Sequence, residues 1–462
     1  MNGWSLTRIA ELCAGRLERA KARETICPYG AIGIDTRSLE AGSLFVAVRA
    51  ARDGHDYLAA ARERGAVAAL VDSRARLPAP DDLPLIRVDD TISALHRWAG
   101  AHRRAMSAEL IVVTGSSGKT TTKDQIAAVL AADRPTHATT GNLNNRLGVP
   151  ITLLGLTPEH RYAVVEVATN HPGEIAPLAA LARPDHVVLT SIGLAHIGAF
   201  GSREAILAEK LHALDPLAPQ GLFFHDADPW VLARLPESVR SRRRETFGLT
   251  EEADCHPLRV EYSAVETRFA TPYCGDVVYR CPGPGALRSA LAAILIGRSL
   301  GVPGQTVRGV LARAVPRALR MEPRRLGTAT ALLDCYNASP ESSLAAIDFL
   351  LRVPCEGSRW LVFGEMRELG DGSDDAHRQV GERAAGADGA FFLGAGCEPA
   401  VAALLRAGGK RIVRLHTRHE ELADDLLGHL AEGDLVLFKG ARAMEMEVVF
   451  DLCQRALAGT EA

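Results

Sequence analysis

The segment Thr114-Gly115-Ser116-Ser117-Gly118-Lys119-Thr120-Thr121-Thr122 has the residue types of a phosphate cradle. Glycines let backbone N–H groups turn inward on an anion, and a helix starting at this point adds its dipole. Lys119 is placed to reach the β- and γ-phosphates, and the Thr120 hydroxyl to ligate Mg²⁺. Gly115, Ser116, Ser117, Gly118, Lys119, Thr120 and Thr121 are therefore the candidate nucleotide-binding residues. The spacing is a shortened form of G-x-x-x-x-G-K-[ST], whose first glycine falls at Val113. A second candidate is Glu166, which ends the apolar run Val164-Val165. A carboxylate at the end of a parallel strand, beside a phosphate loop, is well placed to hold Mg²⁺.

Such groups work only if secondary structure aims them. Leu110-Ile111-Val112-Val113 reads as a buried strand entering the loop, and Ile126, Val129 and Leu130 mark the helix leaving it. Further strands are expected at Tyr162 to Val167, His186 to Thr190 and Gly221 to His225. Helices are expected at Glu174 to Leu181 and Arg203 to Leu214. This alternation predicts a parallel sheet covered on both faces. Upstream, Gly42 to Val48, Tyr57 to Arg64 and Ala66 to Val71 read as strand, helix and strand. The Pro-rich stretch Leu77 to Pro84 reads as a surface loop. Downstream, an Arg- and Pro-rich stretch marks a junction near residue 315. A third unit then starts at Leu332, with strands at Trp360 to Phe363, Gly389 to Leu393, Ile412 to Leu415 and Leu435 to Phe438.

The chain has 462 residues, which at about 100–200 per domain is about three domains. Net charge is −3, against the basic excess of a dedicated nucleic-acid binder, so no nucleic-acid partner is expected. Nine cysteines occur without a C-x-x-C pair, which fits a reducing compartment. The Met1 to Ser5 start lacks the pattern of a signal peptide. No apolar run approaches the ~18 residues of a membrane span. A cytoplasmic protein is expected.

The loop T-G-S-x-G-K-T-T resembles that of the Mur ligases, the ATP-dependent amide ligases of peptidoglycan assembly. The resemblance extends along the chain. Ile34-Asp35-Thr36-Arg37-Ser38, Gly42 to Ala47 and Asp53-Gly54-His55-Asp56-Tyr57 are similar to the family's nucleotide-sugar-binding segments. Thr140 to Pro150 follows the phosphate loop at the family's distance. Gly364-Glu365-Met366-Arg367-Glu368-Leu369-Gly370, His377 and Lys439-Gly440-Ala441-Arg442 look like signatures of the branch that adds D-alanyl-D-alanine to a UDP-linked muramoyl tripeptide.

The resemblance implies an α/β chain of three domains. They are a small α/β N-terminal domain binding the UDP-sugar (1–106), a central P-loop parallel-sheet domain binding ATP (107–315) and a C-terminal Rossmann-like domain binding the incoming amine (316–462). It implies amide bond formation through an acyl phosphate by a monomer, with ATP and two Mg²⁺ ions. It nominates Thr120, Glu166, His196 and Lys210 around the metals, with Lys210 carbamoylated by CO₂ so that it acts as an anion. It places Lys119, Lys210, His196 and Arg320 in catalysis. Arg320, Asp334 and Asn337 join the nucleotide contacts, and Asp35, Thr36, Arg37, Asn144, Asn145, Lys439 and Arg442 the substrate contacts. The alternative is a diverged ligase of the same type acting on another acid and amine.

Several family positions differ. Gly198 stands where the family carries an acid, and Leu333 replaces the first Asp of its D-D-S-Y-N segment. The His-Asn pair and following Asn that seat the adenine are replaced by Gly285, Ala286 and Ser289. Permissive adenine recognition is the resulting expectation.

Overall fold

A computed structural model describes residues 3–19, 26–74, 79–408 and 411–459. Leu77 and Pro78 of the Pro-rich stretch and Met1-Asn2 lie outside the described residues.

The three largest of the five sheets among the described residues follow one another in sequence order. The first has five strands, in the order Arg16–Glu18, Leu85–Val88, Ala68–Asp72, Leu44–Val46 and Ile32–Gly33. All its pairings are parallel except that of the edge strand Arg16–Glu18. The central sheet has six strands, all parallel, in the order Arg244–Phe247, Leu222–Asp226, His186–Leu189, Glu109–Thr114, Tyr162–Glu166 and Thr136–Ala138. Its middle strands are continuous apolar runs because helices cover both faces. The strand Glu109–Thr114, which feeds the phosphate loop, sits between Tyr162–Glu166 and His186–Leu189. The ends of those two strands therefore open beside the loop, the usual place for a ligand in such a sheet.

Two features depart from the sequence expectation. Residues 259–279 form a three-stranded antiparallel sheet of Arg259–Tyr262, Thr267–Thr271 and Gly275–Tyr279. Its signal is the alternation of buried Phe269, Val277 and Tyr279 with exposed Arg268 and Val278, after a turn where Gly275 adopts φ +67°. The third unit also begins earlier than Leu332. Glu322–Leu326, within the stretch read as a junction, pairs antiparallel with Ala329–Asp334. It is the edge strand, and its exposed Arg324 and Arg325 are the charged face such an edge carries against pairing with other chains. The remaining strands of this six-stranded sheet, Leu435–Lys439, Arg359–Gly364, Gly389–Leu393 and Ile412–His416, are parallel.

The first two units share one core. Leu95, Trp98 and Ala99 of the helix Thr91–Ala105 pack in the same apolar cluster as Val149, Leu153, Ile175 and Leu178 of the central unit. Asp90 caps this helix by accepting from Ser93 N at 2.7 Å. His102 on the same helix is fully buried beside Trp4, and its Nε2 donates to Leu156 O at 2.9 Å. Burial pushes its pKa down to about 4, only partly offset by that hydrogen bond.

Since the folded-state value lies below the ordinary ~6.5, the unfolded chain takes up the proton first as pH falls. The stabilisation is complete above about pH 6.5 and is lost progressively toward pH 4. It amounts to on the order of 2–4 kcal/mol. His102→Gln keeps a donor for Leu156 but does not titrate. Its urea midpoint should fall less than the wild type's between pH 7.5 and 4.5; equal pH slopes would remove His102 as the cause.

All nine cysteines are free. Among the described residues no helix is long and apolar enough to cross a membrane.

Candidate active site

The phosphate loop is held open from below. Gly115 adopts φ +144°, and a Cβ there would stand 2.1 Å from Thr190 Oγ1. Gly118 adopts φ +79° at the start of the helix Lys119–Ala131. The end of the neighbouring strand fixes the loop's shape. Ser116 N donates to Ser191 O at 2.7 Å, Ser117 N to Ser191 Oγ at 3.0 Å, and Thr190 Oγ1 to Ser117 O at 2.6 Å. Lys119 Nζ folds back onto Gly115 O and Ser116 O, at 2.9 and 3.0 Å. Burial lowers its pKa; Glu166 opposes that shift and Arg320 adds to it.

Four nominated groups feel one another through this lysine. Glu166 and Arg320 act on Lys119, and Lys119 in turn acts on His196 and Lys210. Glu166 is 1% exposed; its Oε1 accepts from Asn144 Nδ2 at 2.7 Å, while its Oε2 is buried with no partner among the described residues. An unpaired carboxylate oxygen out of water is costly, and a bound cation removes that cost. Lys210 lies on the helix Arg203–Leu211 and is 4% exposed, not the solvated charge that a lone helical lysine suggests. Burial, then the Lys119 charge, push its pKa down to about 7. Its amine is thus more readily neutral than an ordinary lysine's, and the neutral form is the nucleophilic one.

Among the described residues no three His, Cys, Asp or Glu side chains converge to hold an ion by themselves. Mg²⁺ is commonly held by one or two carboxylates together with substrate phosphates. Glu166, the Thr120 hydroxyl and an ATP on the loop fit that pattern.

The C-terminal unit covers the loop. Arg320 Nη2 lies 3.4 Å from Thr120 Oγ1, and its guanidinium stacks 4.0 Å over the Tyr336 ring. The residues flanking it, Leu319 and Met321, both adopt positive φ, at +62° and +49°. One turn beyond Thr120 on the helix Lys119–Ala131, Asp124 pairs with Arg317. Asp334 Oδ2 accepts from Lys439 Nζ at 2.6 Å, and Asp334 Oδ1 from Met321 N at 3.2 Å. Lys439 is 1% exposed and also donates to Asn337 O, so its amine orients the Asp334–Asn337 turn. Asn337 is exposed, with Oδ1 accepting from Ala338 N. Arg442 is engaged by Glu447. His377 is buried and accepts from Met366 N at 3.0 Å, pinning the 364–370 loop.

Other nominated residues are used within the chain. Asn145 Oδ1 accepts from Leu147 N and Gly148 N, fixing the start of the helix Gly148–Leu154. His55 is buried, with Nδ1 against Asp53 Oδ1 at 2.5 Å and Nε2 accepting from Asp72 N at 3.0 Å. A Cβ at Gly54 would meet Val48 N at 2.7 Å. The Asp53-Gly54-His55 motif therefore has a structural reason to be there. Asp35 and Arg37 form a local exposed pair at 2.6 Å beside half-buried Thr36, far from the phosphate loop in sequence. Sequence reasoning gave no role to Glu341 or Glu368. Glu341 Oε1 accepts from Leu194 N at 2.6 Å, and Glu368 Oε2 lies 2.6 Å from His196 Nδ1.

Of the positions that the resemblance assigns to the adenine, Ser289 faces the helix Lys119–Ala131. Ser289 Oγ accepts from Thr122 Oγ1 at 3.0 Å, and a Cβ at Gly285 would meet nothing within 4 Å. Each side-chain hydrogen bond to a base is worth about 0.5–1.5 kcal/mol net. Losing one or two predicts several-fold to about a hundredfold weaker discrimination against GTP. Competitive turnover with ATP and GTP checks this; strong ATP selectivity would mean other residues hold the base.

The chain belongs to the Mur ligase family and is an ATP-dependent ligase. The family's catalytic, middle and glutamate ligase domains match residues 28–103, 113–297 and 319–442. Among curated relatives, the UDP-N-acetylmuramoyl-tripeptide–D-alanyl-D-alanine ligase of Bacillus subtilis is 32% identical, over 98% of this chain and 99% of that protein. The ligase of the same name from Escherichia coli is 36% identical, over 84% and 86%. Among solved structures, MurF of Acinetobacter baumannii superposes with a TM-score of 0.85 at 28% identity, covering 98% of this chain and 99% of that one. MurF of Thermotoga maritima in complex with ADP gives 0.81 at 29%, covering 93% and 98%.

Proposed function

We propose that this chain joins D-alanyl-D-alanine to a UDP-N-acetylmuramoyl tripeptide at the expense of ATP, a step of peptidoglycan precursor synthesis. The observation that carries this reading is a phosphate loop met by the C-terminal unit: Glu166 lies in register with Val113 at its mouth, Arg320 Nη2 stands 3.4 Å from Thr120 Oγ1, and Glu368 holds His196 at 2.6 Å. We assign residues 1–106 to the UDP-sugar, 107–315 to ATP and 316–462 to the incoming amine. Nine free cysteines support a cytoplasmic setting.

A carboxylate is a poor acyl donor because oxide is a poor leaving group. Transfer of the γ-phosphoryl of ATP to the peptide carboxylate makes an acyl phosphate. The amine then attacks, and phosphate leaves from a tetrahedral intermediate. Lys119 and Arg320 offset the charge on the transferring phosphoryl group. Mg²⁺, held by Thr120, Glu166 and His196, and a second ion near carbamoylated Lys210, would supply further charge neutralisation. Closure of the C-terminal unit excludes water and brings the amine to the acyl carbon.

Remote contacts with the nucleotide sugar are expected to contribute much of the donor's affinity. Calorimetry with UDP-muramoyl tripeptide against the free tripeptide tests this: the nucleotide sugar should bind far more tightly. Equal binding would favour the diverged-ligase alternative.

A further inference from the structure

The loop 191–198 carries His196 and is tied at both ends to different units. Its start belongs to the phosphate loop, through Ser116 N on Ser191 O at 2.7 Å and Ser117 N on Ser191 Oγ at 3.0 Å. Its end belongs to the C-terminal unit. Leu194 N donates to Glu341 Oε1 at 2.6 Å, and Gly198 N to Glu368 O at 3.4 Å. Between these, His196 Nδ1 meets Glu368 Oε2 at 2.6 Å across 172 residues of sequence. The approach leaves little room: a Cβ at Gly193 would stand 2.8 Å from the Glu341 carboxylate, and one at Gly198 3.3 Å from Glu368 O. His196 and Glu368 both hold left-handed backbone, at φ +63° and +64°. Such conformations cost energy in non-glycine residues and persist where the surroundings enforce them.

A carboxylate only accepts, so the ring contact places the imidazole proton on Nδ1 and leaves the Nε2 lone pair free. Ligating histidines are commonly fixed this way by a carboxylate behind them. Here the carboxylate comes from another domain, and Gly198 leaves the place for it. We propose that Glu368 is a positioning residue that aims His196 at the nucleotide-bound cation only when the C-terminal unit is closed, with Glu341 anchoring the same loop. The inference deepens the ligase reading and rests on its assignment of His196 to the cation.

The test is calorimetric binding of a non-hydrolysable ATP analogue at increasing Mg²⁺, in wild type, Glu368→Ala and Glu368→Gln. Glu368 is largely exposed, and thermal melting checks that the variants fold. Loss of such a partner typically costs about 10–100-fold in metal affinity. The Mg²⁺ midpoint should rise by about that factor in Glu368→Ala. Glu368→Gln, which keeps an acceptor for Nδ1–H, should recover most of it. An unchanged midpoint in Glu368→Ala, or a Gln variant as impaired as Ala, overturns the proposal. The readout requires no acid or amine substrate. A midpoint shift in a protein that makes no amide would sink the ligase reading alone; an unshifted midpoint in an active ligase would sink only the role of Glu368.

Discussion

Lys119→Ala is expected to lower ATP-dependent amide formation by roughly 10³-fold or more, with the folded state retained. Comparable single charges on a transferring phosphoryl group are worth about 10³–10⁵ in turnover. The ammonium of Lys119 already sits within the loop, bonded to the carbonyls of Gly115 and Ser116. It needs only to turn from those carbonyls to the phosphates. Its side chain is half-buried beyond the end of the strand Glu109–Thr114 and bonds to loop carbonyls, so truncation leaves the apolar core intact. Steady-state turnover alongside thermal melting separates the two effects. Near-normal turnover in the variant would refute the phosphate-loop assignment.

Lys210→Ala is expected to cost at least about 100-fold in turnover, since groups that merely support a metal ligand already cost about 10–100-fold. In the proposed carbamoylation the neutral amine of Lys210 would attack CO₂, forming an N–C bond and releasing a proton, so that an anion replaces the amine. Because the lysine's pKa has been pushed down to about 7, the reactive neutral form grows as pH rises through that value. Activation by added bicarbonate should therefore be larger at pH 8 than at pH 6. Formate or acetate should partly restore the alanine variant by supplying the missing anion. A wild type indifferent to CO₂, together with a variant indifferent to short carboxylates, would remove the carbamate from the mechanism.

What was legible in the sequence follows the range of the forces involved. The strand entering Gly115 and the helix leaving Lys119 are local patterns, and both formed where Val112-Val113 and Ile126, Val129 and Leu130 placed them. The C-terminal strands Arg359–Gly364, Gly389–Leu393 and Leu435–Lys439 were equally plain because buried parallel strands are continuous apolar runs. The edge strand Glu322–Leu326 was hidden because its exposed arginines read as a linker. Lys210 shows the limit more sharply: nothing in Ala208-Glu209-Lys210 announces burial, which comes from how its helix packs. The Glu368–His196 and Glu341–Leu194 contacts join residues 172 and 147 positions apart, and no spacing rule reaches that far. His55 is a further case: the segment resembles the family's nucleotide-sugar-binding segments, and its burial between Asp53 and the backbone of Asp72, 17 positions on, is not legible in the motif.

The most direct test uses a UDP-muramoyl tripeptide labelled with ¹⁸O in its terminal carboxylate, incubated with the purified protein, ATP, Mg²⁺ and D-alanyl-D-alanine. Activation as an acyl phosphate carries one carboxylate oxygen to phosphorus. Mass spectrometry should then find the UDP-muramoyl pentapeptide, an equal amount of ADP, and inorganic phosphate bearing one ¹⁸O. Phosphate released without label, or ADP formed with no pentapeptide, would contradict amide formation through an acyl phosphate by this chain.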